Sequence, residues 1–193
     1  MKQFLSFCAG ACALAVAAMT VNGSQAGGEL KVGDKAPAFE ATNEEGKAWK
    51  SSDVVGKKFV VVYFYPADFT GGCTAQACGF RDNEKDLTDK GIVVVGVSGD
   101  SVATHAAFKK EHNLKFTLLS DPKGAVAKQF GVPFTAKQGN AKFKNETFVR
   151  EGTAQRWTVV IGTDGKIAAR YAVKGDTAAD SKKVLEVVQN LKK

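Results

Sequence analysis

The sequence is poor in the features that mark several classes of protein. Its 193 residues include only four cysteines, four prolines and two histidines, and no internal repeat or low-complexity tract occurs. Charged residues make up 24% of the chain, below the excess that keeps disordered proteins from forming a core. With 44% hydrophobic residues, a chain of this length is therefore expected to fold as one compact domain.

A concentrated basic region is also missing, although the net charge is positive. Lysine and arginine outnumber the acidic residues by 27 to 20, which gives a formal charge of +7 at pH 7. The lysines are scattered, with no arginine-rich run and no basic stripe interleaved with aromatic residues. This distribution is typical of a solvated basic surface, so we expect no nucleic-acid partner.

Long apolar runs are absent except at the N-terminus. Residues 4–20 contain only two polar side chains, and small residues flank a candidate cleavage point after Ala26. The run is shorter and richer in alanine than the roughly 20 strongly apolar residues of a membrane-spanning helix. We therefore expect residues 1–26 to be a secretory signal peptide, with a retained N-terminal anchor as the alternative. After cleavage, residues 27–193 would form a single periplasmic domain without stable membrane insertion.

Removal of that peptide changes the number of cysteines in the mature chain. Cys8 and Cys12 leave with it, so that Cys73 and Cys78 remain. Two cysteines in an exported domain are expected to pair. Because both lie in one short segment, they cannot supply a four-ligand metal or iron–sulfur framework, and we expect no metal and no cofactor.

Several other polar and aromatic residues are assigned structural roles. His105 and His112 lie seven residues apart on one predicted helix, and without a third ligand they are expected to face solvent. Asp100 is expected to cap that helix. Trp49 and Trp157 are expected to be core or rim aromatics.

The hydrophobic pattern predicts an α/β fold with a central mixed sheet and helices on both faces. Two runs of β-branched and aromatic residues, 59–65 and 92–97, indicate strands buried on both sides. A helix from about Cys73 to Lys90 joins them as a parallel crossover unit. Further predicted elements are a hairpin turning at Gly46, a helix over 101–112, a strand over 116–119, a short helix over 121–130, an irregular stretch over 133–155, a hairpin at Asp164-Gly165 and an amphipathic C-terminal helix with Val184, Leu185, Val188 and Leu191 on its core face.

The position of Cys73 gives it a candidate chemical role. It lies in the first turn of the helix that follows a buried strand, where unpaired backbone amides and the helix dipole stabilise an anion. Free cysteine titrates at about 8.5, and helix N-termini are among the environments that favour the thiolate. Position alone therefore makes Cys73 a candidate nucleophile.

Cys78 follows five residues later, and this spacing restricts a bond between the two. On a regular helix the rise is about 7.5 Å and the Cα atoms are roughly 8.6 Å apart. A disulfide usually needs Cα atoms within about 6.8 Å, so bonding requires the first turns to unwind, which Gly79 would ease. A plain stabilising disulfide is the alternative, but so short a loop gains little from closure.

The same segment resembles the active-site motif of peroxiredoxins, Pro-x-x-x-Thr-x-x-Cys, here Pro66, Thr70 and Cys73. The second cysteine five residues later is typical of the Q-type, or bacterioferritin-comigratory, branch. An ordered set of further matches covers nearly all of residues 30–193, namely Phe80-Arg81-Asp82, the run 96–101, the run 118–122, Val126-Ala127-Lys128 and Gly131-Val132.

This resemblance implies a thioredoxin-like fold and reduction of hydrogen peroxide or organic hydroperoxides. Cys73 would attack the peroxide and become a sulfenic acid, and Cys78 would resolve it as an intramolecular disulfide. Thr70 would hydrogen-bond the peroxide, Pro66 would shield the thiolate, and Arg156 would be the active-site arginine. A thioredoxin-like dithiol partner would reduce the disulfide, and the same-chain pair makes a monomer sufficient.

Two arginines compete with Arg156 and two features depart from the branch. Arg81 and Arg150 are expected instead to form a helix-surface ion pair and a loop charge. Gly71 stands where the branch often has proline, which predicts a less preorganised loop. The stretch 133–155 is longer than expected, and either a passive loop or a lid or partner surface would explain it.

Two other functions fit an exported thioredoxin-like domain. One is copper binding or assembly, for which four residues between the cysteines and no suitably placed histidine are poor matches. The other is a non-enzymatic interaction module with an inert disulfide. Peroxidase activity that depends on Cys73 distinguishes the enzyme from both.

Overall fold

The computed structural model describes residues 30–192. The expected signal peptide, with Cys8 and Cys12, lies outside the described residues. Within them, no helix is both long enough and apolar enough to cross a membrane. In chain order the elements are β1 (Glu40–Asn43), β2 (Ala48–Lys50), a 3-10 turn (Ser51–Asp53), β3 (Phe59–Phe64), α1 (Gly71–Asp82), α2 (Glu84–Asp89), β4 (Ile92–Ser98), α3 (Val102–Glu111), β5 (Thr117–Ser120), α4 (Ala125–Gln129), β6 (Phe134–Thr135), β7 (Gly139–Phe143), β8 (Glu146–Arg150), β9 (Thr153–Ala154), β10 (Trp157–Ile161), β11 (Ile167–Ala172) and α5 (Asp180–Leu191).

The centre of the fold is a seven-stranded mixed sheet in the order β11-β10-β3-β4-β5-β1-β2. β3, β4 and β5 run parallel, as the crossover pattern predicts, and the other pairings are antiparallel. Alternate residues of β3 face opposite layers. Val60 and Val62 join a cluster with α4, whereas Val61 and Tyr63 join one with α1, α2 and α5. The predicted α/β fold with helices on both faces is confirmed.

Local interactions shorten two of the predicted helices. The helix expected to reach Lys90 is interrupted at Asn83, whose side-chain amide donates to the carbonyl of Gly79 at 2.9 Å. Asparagine competes in this way with regular helix bonds. The helix expected from Asp121 begins at Ala125, because Gly124 directly before it has a left-handed backbone with a φ of 65°. The carboxylate of Asp121 instead accepts from the amide of Ala127 at 2.9 Å.

The stretch 133–155, expected to be irregular, contains four strands. β6 pairs with β9, and β7 pairs with β8 through a turn at Lys144 with a φ of 53°. In the β7–β8 register Ala141 lies opposite Phe148, so Phe148 and Phe143 share one face of the hairpin. That face covers the loop between β3 and α1. The hairpin could not be predicted from the sequence, because its residues are too weakly apolar to show a strand pattern.

The C-terminal helix differs from its predicted core face at one end. Val184 and Val188 are buried against the sheet, whereas Leu191 is 50% exposed. Its first residues pack against α1, and this contact brings a carboxylate of α5 to the centre of the candidate site.

Candidate active site

Cys73 lies in the first turn of α1, directly below the loop that leaves β3. Its side chain is buried, in contact with a cluster that includes Tyr63, Tyr65 and Phe80. Thr70 is the N-cap residue, but its side chain makes no capping bond. The positive end of the helix is therefore left facing the thiol from one side, and an apolar layer excludes water from the other.

The hydroxyl of Thr70 points away from the helix amides. Its Oγ1 donates to the carbonyl of Ala67 at 3.0 Å, which occupies its single proton and leaves its lone pairs free to accept. Pro66 is half-buried between the end of β3 and this loop. The motif residues therefore surround the base of α1, with Thr70 oriented as a hydrogen-bond acceptor.

Arg156 is the arginine that reaches Cys73. Its Nη2 donates to Sγ at 3.1 Å. The antiparallel register of β10 on β3 pairs Trp157 with Phe64, the last residue of β3. Arg156, which precedes Trp157, therefore lies beside the start of the active-site loop. The guanidinium therefore places a positive charge in hydrogen-bond contact with the sulfur.

The two competing arginines have other partners. Arg81 forms an ion pair with Asp82 at 2.8 Å and donates to the carbonyl of His112 at 2.9 Å. Arg150 donates through Nε to the hydroxyl of Thr153 at 2.9 Å. Arg81 agrees with the expected helix-surface ion pair, whereas Arg150 is the last residue of β8 and not the expected loop charge.

A buried polar chain behind Arg156 was missed by sequence reasoning. Gln76 accepts from Arg156 Nη1 at 2.6 Å and donates through Nε2 to Asp180 Oδ2 at 2.8 Å. Thr158 donates to the same oxygen at 2.7 Å, and Tyr171 donates to Oδ1 at 2.9 Å. One signal was available, since Thr158 is a lone polar residue in an apolar strand.

The active-site loop is fixed by a second buried network. Asp68 accepts from the Tyr65 hydroxyl and contacts His105 Nδ1, both at 2.7 Å, and its amide donates to Asp100 at 2.9 Å. Asp100 also accepts from the Ser98 hydroxyl at 2.6 Å. These five side chains are almost wholly buried, so the loop that carries the motif is held from beneath.

This network overturns two expectations from the sequence. His105 does not face solvent, because it is fully buried with Nε2 directed at the Leu119 carbonyl at 3.2 Å. Asp100 does not cap α3, because Ser101 accepts from the amide of Thr104 and takes that role. The spacing of residues along a helix shows which of them share a face, but it does not show whether that face meets the sheet or the solvent.

Burial and neighbouring charges both shift the pKa values of His105 and Asp100. Burial by itself lowers the pKa of His105, but the adjacent Asp68 and Asp100 outweigh it and raise the pKa above its usual value of 6.5. Burial raises the pKa of Asp100, and the charge of Asp68 adds to this effect. Hydrogen-bond partners on both ring nitrogens also favour a charged His105.

Phe69, immediately before Thr70, has a left-handed backbone with a φ of 59°. Its ring is stacked between Phe143 and Phe148, with centroid distances of 4.6 and 4.4 Å. Phe108 contacts it edge-on at 5.1 Å. The β7–β8 hairpin thus supports the outer side of the active-site loop. The sequence predicted this loop to be less preorganised, because Gly71 stands where the branch often has proline.

Cys78 lies on the same helix as Cys73 and is half-buried, and both are free thiols. A continuous α1 through both positions agrees with the spacing argument, which places their Cα atoms roughly 8.6 Å apart. Gly79 has an additional role, because a Cβ there would lie 2.3 Å from the carbonyl oxygen of Ala178. Glycine lets the segment before α5 pass directly over α1.

Residues 30–192 also contain His, Cys, Asp and Glu side chains of the kinds that ligate metal ions. No cluster of three or more His, Cys, Asp or Glu residues suited to a metal ion occurs there. The two ring nitrogens of His105 already contact Asp68 and Leu119. The copper-binding alternative therefore gains no support from the arrangement of these side chains.

Comparisons with known proteins show which family the chain is similar to in sequence and fold. A model of the AhpC/TSA family matches residues 32–170. A Coxiella burnetii protein named as a peroxiredoxin, bcp, is 43% identical over 140 residues, which cover 72% of this chain and 87% of the relative. The chloroplastic peroxiredoxin Q of Oryza sativa subsp. japonica is 48% identical over 106 residues, which are 55% of this chain and 48% of that protein.

A solved structure gives the same result for the fold. The crystal structure of peroxidoxin BcpB from Mycobacterium tuberculosis has a TM-score of 0.71 and 31% sequence identity. The match covers 84% of this chain and 99% of the other.

Proposed function

The chain belongs to the AhpC/TSA family, in its peroxiredoxin Q/BCP-type group, and is a thiol-dependent peroxidase; from this premise we propose that Cys73 is the thiol that attacks the peroxide. The observation that carries the proposal is the 3.1 Å contact between Arg156 Nη2 and Cys73 Sγ at the N-terminus of α1. Two independent positive fields, the helix end and the guanidinium, converge on one buried sulfur.

In the first step the thiolate of Cys73 attacks the distal oxygen of the peroxide. An S–O bond forms as the O–O bond breaks, and the proximal oxygen leaves with the electron pair and takes up a proton. The sulfur becomes a sulfenic acid, and the peroxide becomes water or an alcohol. The lone pairs of Thr70 accept from the peroxide hydroxyl, Arg156 stabilises the leaving oxygen, and Pro66 limits water access.

In the second step Cys78 resolves the sulfenic acid within the same chain. Its sulfur attacks that of Cys73, so that an S–S bond forms, the S–O bond breaks and water leaves. Because both cysteines lie on one helix, the first turns of α1 open for this step. The contacts that must break include the 2.8 Å bond from the Thr177 hydroxyl to the Gly72 carbonyl.

A dithiol donor completes the cycle by thiol–disulfide exchange. The relatives imply a peroxide substrate and a thiol reductant. A thioredoxin-like donor outside the cytoplasm and a monomeric enzyme are our further proposals, supported by the apolar run over 4–20 and by the presence of both cysteines in one chain.

The role of Cys73 is tested with the single variants at the two cysteines. Cys73→Ser should abolish peroxide consumption in the presence of dithiol, because serine is not an adequate nucleophile here. The exposed Ser52→Ala variant should react like the parent. A Cys73→Ser protein with the parent's turnover would contradict the proposal.

Cys78→Ser should still consume one equivalent of peroxide and then stall. Intact mass should show Cys73 as a sulfenic acid or as a mixed disulfide between chains. Normal multiple turnover by this variant, in the presence of a dithiol that cannot itself resolve the sulfenic acid, would remove the second step as written.

Export is tested separately by producing the full chain in a Gram-negative host. N-terminal sequencing of the protein in the periplasmic extract should begin at Gly27. Recovery of an uncleaved, membrane-bound chain would favour the anchor instead.

A further inference from the structure

We propose that Asp180 is a positioning residue for the reaction of Cys73. Through Gln76 it fixes the guanidinium of Arg156 in the orientation that contacts the sulfur. This inference rests on the proposed function of Cys73. It concerns a residue at the start of α5, outside the motif that carries the family resemblance.

The environment of Asp180 is unusual for an acidic side chain. It is only 2% exposed, and its contacts are neutral donors from three different elements. Oδ2 accepts from Gln76 Nε2 and from the Thr158 hydroxyl, at 2.8 and 2.7 Å, and Oδ1 accepts from the Tyr171 hydroxyl at 2.9 Å. A buried carboxylate needs such bonds, and their directions are fixed by α1, β10 and β11.

These bonds decide which end of the Gln76 amide faces Arg156. A carboxylate only accepts, so the NH₂ end of the amide must face Asp180. The carbonyl end is then left to accept from Arg156 Nη1, at 2.6 Å. The reverse orientation would set two donors against each other at Arg156 and two acceptors against each other at Asp180.

The fixed amide in turn orients the guanidinium. With Nη1 held by Gln76, the planar fork directs Nη2 to Cys73 at 3.1 Å. Gly72 leaves room for it, since a Cβ at that position would lie 3.3 Å from Nη2. A continuous chain of hydrogen bonds thus runs from α5 to the reactive sulfur.

The first test is Asp180→Asn, made in the Cys78→Ser background so that Cys73 is the reacting thiol. Loss of a charged hydrogen-bond acceptor should release Gln76 and lower the rate of Cys73 oxidation by hydrogen peroxide about tenfold. The pH–rate profile for alkylation of Cys73 should shift to higher pH. Glu186→Gln is the matched control, since it removes the same charge from the exposed face of α5.

A second test exchanges the donor and the acceptor. In Gln76→Glu with Asp180→Asn, the new asparagine donates to the new carboxylate, which still accepts from Arg156. We expect this double variant to recover most of the lost rate, whereas Gln76→Glu alone brings two carboxylates together and is slow. A residue that merely stabilises the fold would give no such rescue. Thermal unfolding of each variant separates the two effects.

Gln76→Met supplies a variant in which Asp180 keeps its other two partners. It should show the same rate loss and the same shift in the pH profile as Asp180→Asn. The inference is overturned if Asp180→Asn reacts like the parent, or if the double variant is as slow as Asp180→Asn while equally folded. A parent protein whose Cys73 does not react with peroxide would instead contradict the proposed function.

Discussion

Replacing Phe148 by alanine removes one of the two rings that enclose Phe69. The perturbation lies on the β7–β8 hairpin, away from the sulfur, yet Phe69 directly precedes Thr70 in the chain. Phe69 has a φ of 59° and is stacked on both faces, at 4.6 and 4.4 Å. Its backbone conformation therefore depends on contacts with a distant segment of the sequence.

The expected effect follows from two opposing energies. A left-handed backbone costs a non-glycine residue about 1–2 kcal/mol. Each aromatic pair contributes about 0.5–1.5 kcal/mol beyond its burial, so two stacks together offset the strain. With Phe148→Ala the stack on Phe143 and the edge-on contact with Phe108 remain, and the margin over the strain narrows by about 0.5–1.5 kcal/mol. Phe69 should then leave its conformation for part of the time, and Thr70 and Cys73 should move with it.

The assay is stopped-flow reduction of hydrogen peroxide by the prereduced enzyme. Phe148→Ala should lower the second-order rate constant by about threefold to tenfold, which corresponds to roughly 1 kcal/mol. Val149→Ala is the matched control, because Val149 is 41% exposed on the opposite face of the same strand. Phe69→Gly, which adopts positive φ without strain, should make the rate insensitive to Phe148→Ala. Equal rates for the parent and for Phe148→Ala would refute the reasoning.

Three further perturbations have expected outcomes. Gly79→Ala should destabilise the protein by about 1–3 kcal/mol in urea unfolding, because the new Cβ would lie 2.3 Å from the Ala178 carbonyl oxygen. The cost of this clash exceeds the helix-propensity gain of about 1 kcal/mol for alanine over glycine. An unchanged urea midpoint would contradict the close approach of the two segments. Arg156→Lys should slow peroxide reduction at least about tenfold, because an ammonium cannot bridge Gln76 and the sulfur as a planar fork does, and parent-like kinetics would count against it. His105 has a raised pKa, so its charged form stabilises the fold fully below about pH 6.5, and the effect declines as pH rises through the raised value. The difference in unfolding free energy between the parent and His105→Gln should therefore narrow as pH rises above about 6.5, and a difference that widens would reverse the assignment.

Formation of the disulfide would also act on the segment before α5. Thr177 bonds to the Gly72 carbonyl, and Ala178 packs over Gly79, so this segment contacts α1 on both sides of the helix region that must open. Opening the first turns, as the proposed resolving step requires, would break the former contact and move Gln76 relative to Asp180. Under our two proposals, the positioning chain for peroxide attack and the resolving step would require alternative states of the same helix.

Much of the architecture could be predicted because the governing patterns are local. Continuous apolar runs identified β3 and β4, and the distance between them required a crossover helix. The stretch 133–155 could not be predicted in this way. Its strands are short and mostly polar, and they are held by pairing with each other and by rings that stack on Phe69.

The sequence by itself determined that Cys73 lies in the first turn of a helix and that Cys78 shares it, because helix start signals and residue spacing act over a few neighbouring residues. The family resemblance pointed to Arg156, but only the tertiary structure decided that its side chain contacts the sulfur and that Gln76 and Asp180 lie behind it. Arg156 is 83 residues from Cys73 along the chain, and Asp180 is 104 residues from Gln76. Strand register and helix packing bring such groups together, and no local pattern in the chain specifies either.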